Sequence, residues 1–243
     1  MVFGIIEYMQ GITSIIVISV AVSLAVVLFL KYPKHKEKNL IFVGIGWMGI
    51  ANAYLSTAIK FILKMALNFD LPDKIHFIIN NVFLPIAVFF WLVAMTDLLN
   101  TKKLVKNLIL GLTILLSIIF EIIFFILLSI NSTLIGKFVP GADLTVNWTL
   151  FIVLYFLIIA IVIISSAFFF SIKSILSKDP KSVLKGWLIL IGFILYTVAI
   201  VLNAAFDPSI LRILIERIIL VASSIVLYMG FLLPKWVQRL LLK

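Results

Sequence analysis

The sequence predicts an all-α, polytopic integral membrane protein: one bundle of seven transmembrane helices over residues 1–243, N-terminus outside and C-terminus in the cytoplasm. Three observations predict it. Of 243 residues, 64% are hydrophobic and only 12% charged, too little polar surface to cover a globule of this size in water. Seven apolar stretches each reach the roughly 20 residues a helix needs to cross a hydrocarbon layer about 30 Å thick. Lysine and arginine alternate between connections, heavy on one side and sparse on the other.

The first stretch, 5–30, follows an opening that holds Glu7 and no lysine, and its basic residues come after it. That order is wrong for a cleavable secretory signal and right for a helix inserted with its N-terminus outside. The others run over 40–65, 76–99, 107–130, 148–172, 186–205 and 210–233, separated by short polar segments with breakers at Pro33, Pro72, Pro140 with Gly141, Pro180 and Pro208. No segment marks a second domain. The longest outer connection, 131–146, and the tail after the last helix are too short to form one.

Fourteen basic residues fall on the inner side of this arrangement: Lys31, Lys34, Lys36 and Lys38; Lys102, Lys103 and Lys106; Lys173, Lys178, Lys181 and Lys185; and Lys235, Arg239 and Lys243. Six fall outside: Lys60, Lys64, Lys74, Lys137, Arg212 and Arg217. An even number of helices or a missed span would break the alternation. In the tail, Pro234, Lys235, Trp236 and Arg239 combine a helix end, an indole at headgroup depth and cations toward anionic lipid, which reads as an anchor in the cell membrane.

Several chemistries are excluded. The net charge of +10 is scattered between apolar runs, so no basic face for nucleic acid forms. Without cysteine, no disulfide, thiolate nucleophile or thiol-type metal site exists. His35 and His76 are too few and too far apart for a zinc hydrolase, and no metal or cofactor is expected. A microbial retinal protein needs a lysine midway along its last helix, and 218–233 has none. Sugar and peptide-signal carriers with a Pro-Gln pair find no match here. Gly44-Ile45-Gly46-Trp47-Met48-Gly49 fits the dinucleotide-binding pattern but lies inside an apolar span; the glycines are expected to let the second helix approach a neighbour closely.

An ionisable residue inside the bilayer costs roughly 2.5–3.5 kcal/mol on insertion scales, so each one asks for a reason. Glu121 sits about 21 Å into the fourth helix and must face the interior, be protonated, or pair with Lys60, Lys64, Arg212 or Arg217. Asn80, Asn81, Asn203, Glu216 and Arg217 estimate to the outer third. Together with Glu121 they are candidates for one outward-facing ligand pocket between the third, fourth, sixth and seventh helices. The competing reading is that asparagines glue helices and arginines snorkel. Asn52, Ser56 and Lys60 recur every four residues on one face of the second helix, and Lys60 joins the candidate ligand-binding set. Pro85 is expected to kink the third helix.

Leu84-Pro85 with the apolar run to Thr96-Asp97, and Tyr228-Met229-Gly230-Phe231-Leu232-Leu233-Pro234, resemble stretches of the seven-helix sensor domains that precede prokaryotic histidine kinases. The resemblance covers about a tenth of the chain. It implies a receptor-like protein whose cytoplasmic output module is a separate partner, reached through loops 100–106 and 173–185. Abundant lysine over arginine, and isoleucine, fit an AT-rich prokaryotic genome. The first functional expectation is therefore a non-enzymatic receptor or sensor that binds a small-molecule or lipid ligand among membrane lipids. A small-solute or ion transporter or channel is the second, and a non-catalytic subunit of a larger membrane complex the third.

Overall fold

The computed structural model describes residues 3–139, 142–205 and 209–242, without the side chains of His35, Ile50, Ala204 and Ala205. The expected breakers Pro140, Gly141 and Pro208, and Lys243, lie outside the described residues. Helices run over α1 Ile5–His35, α2 Lys38–Leu67, α3 Asp73–Asn81, α4 Phe83–Leu98, α5 Lys103–Ile130, α6 Leu150–Ile175, α7 Pro180–Ala205, α8 Ile210–Leu232 and α9 Lys235–Leu241. Between α5 and α6 stand a 3-10 turn, Ser132–Leu134, and a two-stranded antiparallel hairpin, β1 Gly136–Val139 and β2 Ala142–Trp148.

Among the described residues, five helical segments are long and apolar enough to cross a membrane: α1, α3 with α4, α5, α6 and α7. A sixth is α2, if its two halves, bent by 50°, count as one span. Seven spans therefore exceed this count. The segment not in it is α8, which carries Arg212, Glu216 and Arg217 in its first two turns.

The helices outlast the apolar runs that announced them. α1 continues past residue 30 through Pro33 and stops where Lys36 turns left-handed, at φ 53°, its amide bonding the Tyr32 carbonyl. α2 ends likewise at Asn68, φ 49°. The third apolar run is broken in two. Pro85 has no N–H for the carbonyl of Asn81 and crowds it, and α3 ends at Asn81. The connection before α6 holds regular structure: Trp148 closes β2 and α6 starts at Leu150, and Asp143-Leu144-Thr145-Val146-Asn147-Trp148 alternates polar and apolar as a strand does and pairs with β1, Phe138 opposite Val146.

Close helix approach follows from glycine. A Cβ on Gly49 would lie 1.8 Å from that of Ala87 on α4, and one on Gly46 would lie 3.0 Å from the Cβ of Trp91. The glycine motif of α2 is thus a packing seam, as its position in an apolar helix implied. Gly192 and Gly230 serve the α7–α8 pair, meeting Leu227 and Ile189. Between the two pairs lies the largest core cluster, where Trp91, fully buried, contacts Phe193 at 5.4 Å between ring centroids and donates to Ser166 Oγ of α6 at 2.9 Å. By contrast α5 buries only Phe120, Phe124 and Leu128, and its first half is exposed on nearly every side.

Candidate functional site

The hairpin sits over one end of the bundle. Its backbone and side chains reach α1, where Asp143 N donates to Glu7 Oε1 at 2.7 Å and Gln10 Nε2 donates to Thr145 Oγ1 at 3.0 Å. Leu144 packs with Phe3 and Phe61, and Phe138 stacks on Phe77 of α3 at 5.8 Å. At this hairpin end lie most of the buried polar side chains of the described residues: Glu7, Gln10, Thr13, Ser14, Asn52, Ser56, Lys60, His76, Asn80, Asn81 and Glu216. The other end contributes only Thr96, Ser171, Ser223 and Ser224, hydroxyls whose hydrogen bonds go to backbone carbonyls. Lysines crowd around that other end. Lys106 pairs with Asp97 there, and Lys173 donates to the carbonyl of Leu99.

The candidate residues fall into three groups. The first joins α2 to α3. Asn52 Nδ2 donates to the carbonyls of Ile79 and Asn80 at 2.5 and 3.1 Å, and Asn80 Nδ2 donates in return to the carbonyl of Ala53 and to Ser56 Oγ at 3.2 and 3.0 Å. Ser56 Oγ lies 3.4 Å from His76 Nε2. Asn81 turns back on its own helix, donating to the Phe77 carbonyl at 2.9 Å, and its Oδ1 is buried with no partner among the described residues. Lys60, 6% exposed, has its ammonium 3.3 Å from the centroid of the Phe138 ring, and His76 meets the same ring edge-on at 5.0 Å. The ring of a hairpin residue thus closes the polar stripe of α2. Reciprocal asparagine bonds between helices satisfy groups that lipid cannot.

The second group gathers around Glu216, 1% exposed on α8. Tyr54 of α2 donates to its Oε1 at 3.2 Å, and Arg212 Nη1 to its Oε2 at 3.5 Å. Arg217 Nη1 stands 3.5 Å from Oε1, and the Arg217 guanidinium lies 4.0 Å from the centroid of the Tyr54 ring. Arg212 Nη1 also donates to the carbonyl and Oδ1 of Asn203 at 3.1 and 3.2 Å. Among the described residues, two guanidinium charges thus face one carboxylate, and Arg212 Nε, Arg217 Nε and Arg217 Nη1 are buried with no hydrogen-bond acceptor.

Glu121 is the third group by itself. It is half-buried beside Phe120 and Phe124 of α5, with Oε2 buried and unpartnered among the described residues. None of the cations named for it is its partner among the described residues: Lys64 pairs with Asp70, Arg212 and Arg217 with Glu216, and Lys60 covers Phe138. The structure brings Asn80 near Lys60, and Asn203 near Glu216 and Arg217, without linking Glu121 to either group. Sequence reasoning named neither Tyr54 nor His76 nor Phe138 as part of the site, since an aromatic or a lone histidine in a membrane helix carries no distinguishing pattern.

Two clefts lie on the flanks of the bundle. One of about 450 Å³, between α1, α2 and α3–α4, is apolar but for Asn52. The other, of about 420 Å³, runs between α6 and α7 from Ser171 and Leu190 to Leu202. Outside the spans, Asp70 accepts from Lys64 Nζ at 2.5 Å, and that ammonium holds its carboxyl below the ordinary value of 3.8. No cluster of three or more histidine, cysteine or carboxylate side chains that could hold a metal occurs among the described residues.

A predominantly helical protein with at least five helices long and apolar enough to cross a membrane, and with its buried polar groups gathered at one end, falls in the class of helical membrane proteins. No protein-family model matches the chain, and no curated protein matches it.

Proposed function

We propose that the chain is a seven-helix, multi-pass protein of the prokaryotic cell membrane, receptor-like or sensor-like, with its N-terminus outside and its C-terminus in the cytoplasm. It binds a small or lipidic ligand at the hairpin end and signals through its lysine-rich connections to a separate partner, with no catalysis of its own. In this reading α1, α2, α3–α4, α5, α6, α7 and α8 are the spans. α8 enters lipid with its charges covered by Tyr54 and Asn203.

The single observation that carries the reading is the one-ended distribution of buried polarity beneath the hairpin. A conduit for ions or polar solutes requires polar groups along its whole length. Here the half of the bundle opposite the hairpin is filled by Trp47, Trp91, Met95, Phe193 and Leu227. A cluster of buried polar groups at one end, backed by a packed apolar core, fits binding better than passage.

Two measurements test it. The chain has no cysteine, so single cysteines introduced at 36 and 137 report topology without background. In intact cells a membrane-impermeant thiol reagent is expected to label 137 and spare 36; the reverse pattern overturns the orientation. Spin labels at 103 and 181, in vesicles offered laurate, amino acids and sugars, are expected to change separation with one probe class while none crosses the membrane. Flux of a probe with unchanged label distances replaces the receptor with a transporter.

A further inference from the structure

The cleft between α1, α2 and α3–α4 opens on the first of the three polar groups. Its lining includes Ile18 and Val22 of α1, Met48 and Asn52 of α2, and Ile79 and Ile86 of α3–α4, and among the described residues that line it none is charged. Val22 and Ile86 are 39% and 48% exposed, so the mouth of the cleft lies on the outside of the bundle, where lipid would reach it. Two helix breaks fall beside it: α2 bends by 50° between Gly49 and Ala51, and α3 gives way to α4 at Val82.

Asn52 is the one polar side chain in the lining and is 4% exposed. Its Nδ2 donates to the carbonyls of Ile79 and Asn80. Only the nitrogen of an amide can do so, which fixes the side chain's orientation and makes Oδ1 the polar atom it brings to the cleft. That oxygen accepts no hydrogen bond among the described residues, and unlike Asn81 Oδ1 it is not sealed from the surface. Midway along an apolar helix, neither an acyl chain nor the hydrocarbon around it offers a donor.

We infer that this cleft binds a compact, uncharged ring alcohol or phenol, which enters from lipid and donates its hydroxyl to Asn52 Oδ1. Three properties select that chemistry. The lining holds no charge to pair with an ionic ligand, which would be buried at high cost. Both amide hydrogens of Asn52 are taken and its oxygen is open, so a ligand must donate, as a hydroxyl does and an ether does not. Lining residues 48 to 55 and 78 to 86 advance at most about 10 and 12 Å at 1.5 Å per residue, shorter than the half-thickness of about 15 Å that an extended acyl chain follows. The volume of about 450 Å³ lies within the roughly 300–1,000 Å³ of ligand sites. The inference rests on the reading of the chain as a ligand-binding membrane protein, and gives the Asn52 group a ligand chemistry and an entrance.

The experiment uses the full chain in nanodiscs of neutral phosphatidylcholine, with a photoreactive diazirine derivative of para-cyclohexylphenol as the probe. Unlabelled para-cyclohexylphenol, its methyl ether, cyclohexylbenzene and para-cyclohexylbenzoate compete at equal concentration in the bilayer. Labelled peptides are expected within 18–22, 48–55 and 78–86. The phenol should compete best, the ether and the hydrocarbon about fivefold more weakly through the loss of one hydrogen bond, and the benzoate at least about tenfold more weakly. The pair Val22→Phe and Ile86→Phe, at exposed positions of the mouth, should abolish labelling in folded protein, whereas Val22→Ala with Ile86→Ala should keep it. Labelling spread evenly over all helices, unchanged by the phenylalanine pair, or lost equally in the alanine pair overturns the site. Equal competition by cyclohexylbenzene overturns the hydroxyl's part, and equal competition by the benzoate overturns the uncharged ligand. Labelling is read without reference to the 103–181 distance. Binding with motionless loops therefore sinks the receptor reading only, and loop movement driven by the phenol but unaffected in the phenylalanine pair sinks this site only.

Discussion

The ammonium of Lys60 lies 3.3 Å from the centroid of the Phe138 ring, and no carboxylate pairs with it among the described residues. A buried lysine stem from α2 is thereby tied to the hairpin by a ring face, an attraction that strengthens as water is removed. Phe138→Leu keeps apolar bulk and loses the quadrupole, and is expected to lower stability by about 1–2 kcal/mol in thermal or denaturant unfolding. Lys60→Met should lose a similar amount, and the double variant should lose little more than either alone. Fully additive losses would show that the two residues do not act on each other.

The seam between α2 and α4 makes a volume prediction. Gly49→Ala places a methyl where 1.8 Å separates it from Ala87 Cβ, so the helices must part, at an expected cost of about 1–3 kcal/mol. Ala87→Gly in the same chain removes the obstructing methyl and should restore most of the loss. A neutral Gly49→Ala would contradict the close approach.

Among the described residues, Glu216 accepts from Tyr54 and Arg212 and is the carboxylate that faces Arg217. Glu216→Gln leaves buried guanidinium charge without a counter-charge and should destabilise by about 3–5 kcal/mol, whereas Tyr54→Phe removes one hydrogen bond and should cost about 1 kcal/mol. Chemical unfolding in detergent ranks the two, and an equal effect would show that the carboxylate's charge is not what matters.

Asp70 gives a pH prediction of known sign. Its carboxyl is held below 3.8 by Lys64, so the ion pair contributes stability above that pH and loses it as the solution is acidified below 3.8. With its side chain 68% exposed, the pair is worth less than about 1 kcal/mol and is screened by salt. Asp70→Asn should make the acid side of the stability profile slightly shallower at low ionic strength and leave neutral pH nearly unchanged beyond that amount.

Much of the helical plan is legible because lipid imposes a length and forbids free backbone groups, so apolar runs and prolines mark it. Helix ends are less so: hydropathy falls at Lys31, but the backbone continues until Lys36 adopts a left-handed turn, a local event that side-chain polarity does not announce. The β2 alternation from Asp143 to Trp148 is written in the residues and goes unread only when attention is on 20-residue windows. The candidate site divides similarly. Rarity in lipid singles out Lys60, Asn80, Glu121 and Glu216, whereas Arg212, offered as a partner for Glu121, pairs instead with Glu216 four residues along its own helix. That Tyr54 bonds Glu216 across 162 positions, while Glu121 finds no cation among the described residues, depends on helix placement that no local pattern encodes.

The glycine seams have a mechanical corollary. Backbones locked at Gly46 and Gly49 on one side and at Gly192 and Gly230 on the other make α2–α4 and α7–α8 two close-packed pairs, with the larger rings of Trp91 and Phe193 between them. Interdigitated pairs resist sliding, whereas ring-on-ring contact tolerates tilt. Under the proposed sensor reading, a push delivered under the hairpin is expected to reach the lysine-rich end as a rocking of one pair against the other about Trp91 and Phe193.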